Sequence, residues 1–72
     1  MTNTLEFKAM LVRKGLTLKK LSEEVGISST SLSYKINNRR DFMSREIVAI
    51  SKALNLTSYE RDKIFFKEIV DK

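Results

Sequence analysis

This chain of 72 residues contains no cysteine, proline, histidine or tryptophan, and it has only two glycines. Without cysteine there is neither a disulfide framework nor a thiolate zinc site. Without histidine there is no imidazole to activate a serine nucleophile, so the many serines are better explained as helix caps and surface residues. The lack of proline and the scarcity of glycine favour an all-helical chain.

Long apolar runs are also missing. The longest contain four residues, at 9–12 and 47–50, whereas a membrane span needs about 20, and the chain does not open with a signal-peptide pattern. A chain this short buries only about 60–65% of its unfolded surface, which leaves little room for a substrate cleft. We therefore expect a soluble, cytoplasmic protein that is not an enzyme and has no metal, cofactor, small-molecule substrate or membrane partner.

The most informative stretch is residues 17–37, where two short helices are predicted on either side of a tight turn. Thr17 is the expected N-cap of the first helix, because its hydroxyl can accept a backbone N–H of the first turn. Apolar residues then recur at positions 18, 21 and 25, which is helical spacing. Ser22 is small enough to let a second helix approach. Gly26 is expected to end the helix in a left-handed conformation, which costs glycine nothing.

The second helix repeats this arrangement. Ser28 is its predicted N-cap, and Leu32 and Ile36 are expected to face inward. The candidate recognition residues, for DNA or for a protein partner, are Ser28, Ser29, Thr30, Ser33, Tyr34, Lys35 and Asn37.

The stretch combines apolar residues at 21, 25, 27 and 32, a small residue at 22, glycine at 26 and a hydroxyl cap at each helix start. In these features it resembles the Cro/repressor (XRE-like) type of helix-turn-helix, over about residues 5–56. The whole chain resembles the small switch regulators of temperate phages, both Cro-like proteins and modulators of repression. The resemblance implies binding of double-stranded operator DNA in the host cytoplasm and control of a lysis-lysogeny switch. One position departs from the family: an apolar residue is usual where this chain has Lys35, and Ile36 follows one place later.

Positive charge is concentrated in the first part of the chain. Residues 1–40 hold eight Lys or Arg against three acidic residues, whereas residues 41–72 hold six of each sign. Basic side chains beside DNA gain affinity by releasing condensed counterions, although a merely soluble basic surface would show the same asymmetry. The candidate phosphate contacts are Arg13, Lys14, Lys19, Lys20, Asn38, Arg39 and Arg40. Arg13 and Lys14 are included because the family that the chain resembles often contacts phosphate at these positions.

Capping signals predict three further helices, which begin after Asn3 or Thr4, at Ser44 and at Thr57. The expected fold is an all-α compact bundle of five short helices, forming one helix-turn-helix domain over residues 1–72 with a last helix at 58–70.

The last helix carries three consecutive apolar residues at 64–66. Because these point about 100° apart, at least one is expected to stay exposed unless another chain covers it. A homodimer or heteromer surface anchored by Phe65 and Ile69 is one explanation, and a small core that leaves one residue exposed is the other.

Two functions remain open. The first is Cro-like operator binding, as a dimer on paired half-sites. The second is an antirepressor that docks on its cognate repressor through Leu18 and Tyr34 and masks the repressor's DNA-reading surface. Base reading in the major groove relies mainly on Arg, Lys, Asn and Gln, so a recognition helix rich in short hydroxyls favours the second function. The family resemblance and the charge asymmetry favour the first.

Overall fold

The computed structural model describes residues 1–66, and over this range it contains five α-helices and no strands. The helices are α1 (Thr4–Lys14), α2 (Leu18–Val25), α3 (Ser29–Ile36), α4 (Ser44–Ala53) and α5 (Ser58–Phe65). The predicted all-α bundle of five helices is confirmed. The predicted last helix extended to residue 70, whereas α5 ends at Phe65 and its cap residue, Phe66, is not helical. The remainder of that predicted range, including the proposed anchor Ile69, lies outside the described residues.

Four of the helices begin at the N-cap residues that the sequence predicts. In each case the side-chain oxygen accepts a backbone N–H of the first turn at 3.1–3.2 Å, which satisfies a donor that the helix itself leaves free. The four caps are Asn3, Thr17, Ser28 and Thr57. At α5 the Glu60 carboxylate also accepts the Thr57 N–H at 2.9 Å. This contact holds the pKa of Glu60 below its ordinary value of 4.5.

Helix α4 begins differently, and the prediction of Ser44 as its cap is wrong. Met43 is the cap residue and Ser44 is the first helical residue. The Glu46 carboxylate reaches back from within the helix and accepts the Met43 N–H at 2.8 Å. The capping contact is therefore made by a side chain inside the helix, and no hydroxyl before the helix is needed.

The core draws buried apolar side chains from all five helices. The buried apolar residues of the described chain are Phe7, Met10, Leu11, Leu21, Leu32, Ile36, Ile50, Leu54, Ile64 and Phe65. Phe7 stacks on Phe42 with their ring centroids 5.9 Å apart, and Phe65 stands edge-on to both rings at 5.8 and 5.3 Å. This aromatic trio joins α1, α5 and the segment between α3 and α4.

The burial of Phe65 corrects its prediction as a partner anchor. Only 5% of Phe65 is exposed, and its ring packs edge-on against both other rings of the trio. Phe66 is the exposed member of the apolar triplet, at 36%. The expectation that at least one of the three stays exposed is therefore confirmed.

No helix in the described part of the chain is long and apolar enough to cross a membrane.

Candidate nucleic-acid interface

The turn between α2 and α3 depends on Gly26, which adopts the predicted left-handed conformation with φ 72° and ψ 27°. The backbone N–H groups of Gly26 and Ile27 both donate to the Ser22 carbonyl, at 3.0 and 3.3 Å. Ser22 is 8% exposed, and its hydroxyl donates to the Lys19 carbonyl and accepts from the Ser29 hydroxyl at 3.1 Å. The small residue predicted at position 22 thus lies where α2 and α3 touch.

Valine at position 26 tests this turn. An added Cβ at Gly26 meets nothing within 4 Å, so a loss of stability would come from the backbone conformation and not from a clash. We expect Gly26→Val to lower the free energy of unfolding by about 1–3 kcal/mol, because β-branched residues strongly disfavour positive φ. Gly26→Asn should lose less, because asparagine tolerates the left-handed region. Urea denaturation of the three proteins measures both losses, and an unchanged midpoint for the valine variant would refute the turn.

Several of the predicted recognition side chains are engaged within the helix pair. The Ser28 hydroxyl caps α3, and the Ser29 hydroxyl donates to Ser22. The Asn37 amide donates to the Ser33 carbonyl at 2.9 Å, in the preceding turn. Asn37 is the recognition residue best suited to reading adenine. These contacts therefore further reduce the small number of side chains that are available to read bases.

Lys35 is turned toward α4 and is not part of the exposed recognition surface. Its Nζ lies 2.6 Å from Oε2 of Glu46, and the two side chains are only 12% and 14% exposed. Ile36, the next residue, is 3% exposed and takes the buried position. The departure from the family pattern is thus accommodated by an ion pair between α3 and α4, and Lys35 is not brought together with the other recognition residues.

Acid should weaken this ion pair. Burial raises the pKa of Glu46, but the hydrogen bonds from Lys35 and from the Met43 N–H, together with the charge of Lys35, hold it below the ordinary 4.5. A lowered folded-state pKa means that the stabilisation is complete above the unfolded-state pKa and is lost as pH falls through the folded-state value. Glu46→Gln should therefore cost about 1–2 kcal/mol at pH 7, and this difference from the native protein should shrink as the pH falls below about 4.5.

The control for this prediction is Glu23→Gln, which removes a carboxylate from an exposed position on α2. It should change the free energy of unfolding by less than about 0.5 kcal/mol at pH 7. Urea denaturation of the native protein and of both variants, at pH 7 and at a pH below about 4.5, gives the comparison. A difference between Glu46→Gln and the native protein that does not change with pH would contradict a stabilising role for the ion pair.

Tyr34, Arg39 and Arg40 form a cluster, called here the Tyr34–arginine cluster, that the sequence did not reveal. The guanidinium carbons of Arg39 and Arg40 lie over the Tyr34 ring, at 5.5 and 6.0 Å from its centroid. Tyr34 is 39% exposed, and both arginines are exposed. A predicted recognition residue and two predicted phosphate contacts therefore belong to one surface.

Two further basic side chains lie at the start of α2. Lys19 and Lys20 are exposed in its first turn. Cations are unfavourable there by about 0.3–1 kcal/mol, because the helix dipole is positive at this end. Within residues 1–66, no carboxylate lies within 4.0 Å of these lysines or of the two arginines of the cluster. An anionic partner would offset this unbalanced charge.

The helices differ in whether their first turn carries an acidic side chain. The first turns of α1, α4 and α5 carry Glu6, Glu46 and Glu60, whereas those of α2 and α3 carry no acidic residue. The positive ends of the central helix pair are thus left without a negative side chain, which favours an external anion.

The remaining predicted phosphate contacts are engaged elsewhere. Arg13 pairs with Glu6 at 3.2 Å, and Lys14 lies 3.9 Å from Glu60 at the start of α5. Neither contacts the Tyr34–arginine cluster. Their role at phosphate stays a prediction.

Asn38 has a structural role. It adopts φ 65°, its Oδ1 accepts the Thr2 N–H at 2.8 Å, and its Nδ2 donates to the Thr2 carbonyl at 2.9 Å. The Asn3 N–H in turn donates to the Ile64 carbonyl at 2.7 Å. The N-terminal segment therefore links the turn after α3 to α5, and Asn38 positions the arginines that follow it.

Leu18, the other proposed apolar anchor for a protein partner, is half-buried and packs against the core. Of the two proposed anchors on the helix pair, Tyr34 is therefore the more exposed.

A family model described as helix-turn-helix matches residues 7–61, which is most of the chain. The match contains α1 from Phe7 onward, both helices of the central pair, α4 and the first half of α5. No curated protein and no solved structure gives a significant match.

Proposed function

The chain belongs to the helix-turn-helix family of Cro/XRE-like DNA-binding transcription regulators. We propose that it is a Cro-like operator-binding protein of a temperate-phage lysis-lysogeny switch. The main support is the set of exposed cations on the helix-turn-helix: Lys19 and Lys20 at the start of α2, and Arg39 and Arg40 after α3. None of the four has a carboxylate partner among residues 1–66. Such side chains bind DNA phosphates with release of counterions.

Sequence discrimination by this surface is expected to be modest. Thr30 and Tyr34 are exposed on α3 and Ser33 is half-buried, and none of the three belongs to the residue types that dominate major-groove recognition. Phosphate contacts are therefore expected to provide much of the affinity. Paired half-sites would raise specificity. Because they lie about 34 Å apart on one face of the duplex and residues 1–66 contain a single helix-turn-helix, formed by α2 and α3, we propose that the protein binds them as a homodimer.

A second function is supported by the same depleted recognition surface. We propose, as the alternative, an antirepressor that binds its cognate repressor and covers the repressor's DNA-reading face. Tyrosine and arginine are the side chains that most often anchor protein interfaces, and the Tyr34–arginine cluster presents both. The burial of Phe65 and the half-buried position of Leu18 leave Tyr34 as the main anchor of such an interface among the described residues.

One titration separates the two functions. Labelled DNA from the control region of the protein's own gene, and random DNA of equal length, are titrated with protein at about 0.15 M salt, with and without the neighbouring repressor. Operator binding at least about a thousandfold tighter than binding to random DNA supports the Cro-like function. Weak, nonspecific binding together with release of the repressor from its operator supports the antirepressor and contradicts the Cro-like function.

A further inference from the structure

We propose that the Tyr34 ring is a positioning element that holds Arg39 and Arg40 ready to bind DNA phosphate oxygens, and that the Tyr34 hydroxyl does not read a base. The proposal rests on the DNA-binding function proposed above and assigns a specific task to one side chain of that surface.

The turn after α3 brings the two arginines back over the last turn of the helix. Asn38 adopts the left-handed conformation, and the Arg39 N–H donates to the Tyr34 carbonyl at 2.8 Å. The two hydrogen bonds between the Asn38 amide and the Thr2 backbone fix this turn from the side of the core. The reversal of the chain is therefore part of the fold, and it does not depend on DNA.

The two guanidinium groups share one ring in spite of their like charge. Both guanidinium carbons lie within 6.0 Å of the Tyr34 centroid, which is the range in which a cation is attracted to an aromatic face. Two arginines without this ring would separate into solvent, because they repel each other and no carboxylate within residues 1–66 pairs with them. The ring thus compensates in part for the repulsion.

A guanidinium that lies over a ring uses its face for that contact, and its N–H edge stays free for an acceptor. Phosphate oxygens are well suited to this edge, because guanidinium and phosphate form paired, charge-assisted hydrogen bonds. The Tyr34 hydroxyl, in contrast, has no protein hydrogen-bond partner within the described residues. The contacts of Tyr34 with the arginines are therefore made by its ring.

The test compares Tyr34→Phe, which keeps the ring and loses the hydroxyl, with Tyr34→Leu, which loses the ring. Binding of each variant and of the native protein to a random 20-base-pair duplex is followed by fluorescence anisotropy over a range of salt concentrations. Tyr34→Phe should bind like the native protein. Tyr34→Leu should bind about five- to tenfold more weakly at about 0.15 M salt, with a salt slope lower by about one unit, although both arginines are still present. Native affinity and slope in Tyr34→Leu would overturn the proposal, as would equal losses in the two variants.

A second measurement examines the cluster without DNA. Ring currents should shift the Arg39 and Arg40 side-chain protons upfield in NMR spectra of the native protein and of Tyr34→Phe, and the shifts should vanish in Tyr34→Leu. Unshifted arginine protons in the native protein would show that the ring does not position them.

If the native protein fails to bind duplex DNA, the proposed function and the phosphate ligand are both overturned, whatever the ring-current shifts show. If Tyr34→Leu loses repressor binding while its DNA binding is unchanged, the cluster binds protein and not phosphate.

Discussion

Phe7→Ala should remove about 3–5 kcal/mol from the free energy of unfolding. A domain of this length is expected to have only about 4–11 kcal/mol in total, so the variant should be partly or largely unfolded at 25 °C. Phe7 is fully buried and contacts both other rings of the aromatic trio. Its removal leaves a cavity where α1, α5 and the segment after α3 meet, and such a small bundle has little other core to close around it.

Leu5→Ala is the matched control for this prediction. Leu5 lies on the same helix, two positions earlier, and is 81% exposed, so its truncation should change stability by less than about 0.5 kcal/mol. Urea denaturation, followed by circular dichroism, measures both variants. If the two truncations cost the same, or if Phe7→Ala costs less than about 1 kcal/mol, the trio does not hold the bundle together.

The features that the sequence predicted well are those decided by residues within one helical turn of each other. Thr17 and Ser28 cap their helices, and Gly26 takes positive φ, because a hydroxyl beside a free N–H and a residue without Cβ act locally. Ser44 was the exception. Glu46, three residues after Met43, is a local signal for a helix that starts one place earlier, and the hydroxyl of Ser44 is a competing local signal.

Features that depend on a distant partner were not predictable in this way. Periodicity showed that three consecutive apolar residues cannot all be buried, but it did not show which one would face Phe7 and Phe42. The structure places Phe65 there. Likewise, the inward position of Lys35 depends on Glu46, which lies on another helix.

The candidate site was predicted in composition but not in arrangement. The sequence predicts Tyr34, Arg39 and Arg40 as binding residues, but it places Tyr34 on the recognition helix and the arginines in the turn after it, and it does not show that the three share one surface. Asn38 was the available clue, since an asparagine directly after a helix favours the left-handed conformation that reverses the chain. Asn38 is also a predicted phosphate contact, and its bonds to Thr2 are visible only in the folded chain.

Replacing Arg39 and Arg40 together by alanine should have the largest effect on DNA binding. Each lost phosphate contact lowers the slope of log affinity against log salt by about 0.9, so the double variant should lose about two units of slope and about thirtyfold in affinity at 0.15 M salt. Fluorescence anisotropy with operator and random duplexes measures both quantities. Fold stability should change little, because both side chains are exposed and neither forms an ion pair within the described residues.

The double variant Lys8→Ala, Lys52→Ala is the control, because it removes the same charge from exposed positions on α1 and α4. Its salt slope should stay close to that of the native protein, since general electrostatic attraction is weakened but no phosphate contact is lost. An equal fall in slope for both double variants would mean that net charge, and not the position of the arginines, determines affinity. A loss confined to the operator duplex would instead make Arg39 or Arg40 a reader of bases, because a phosphate contact weakens binding to every sequence alike.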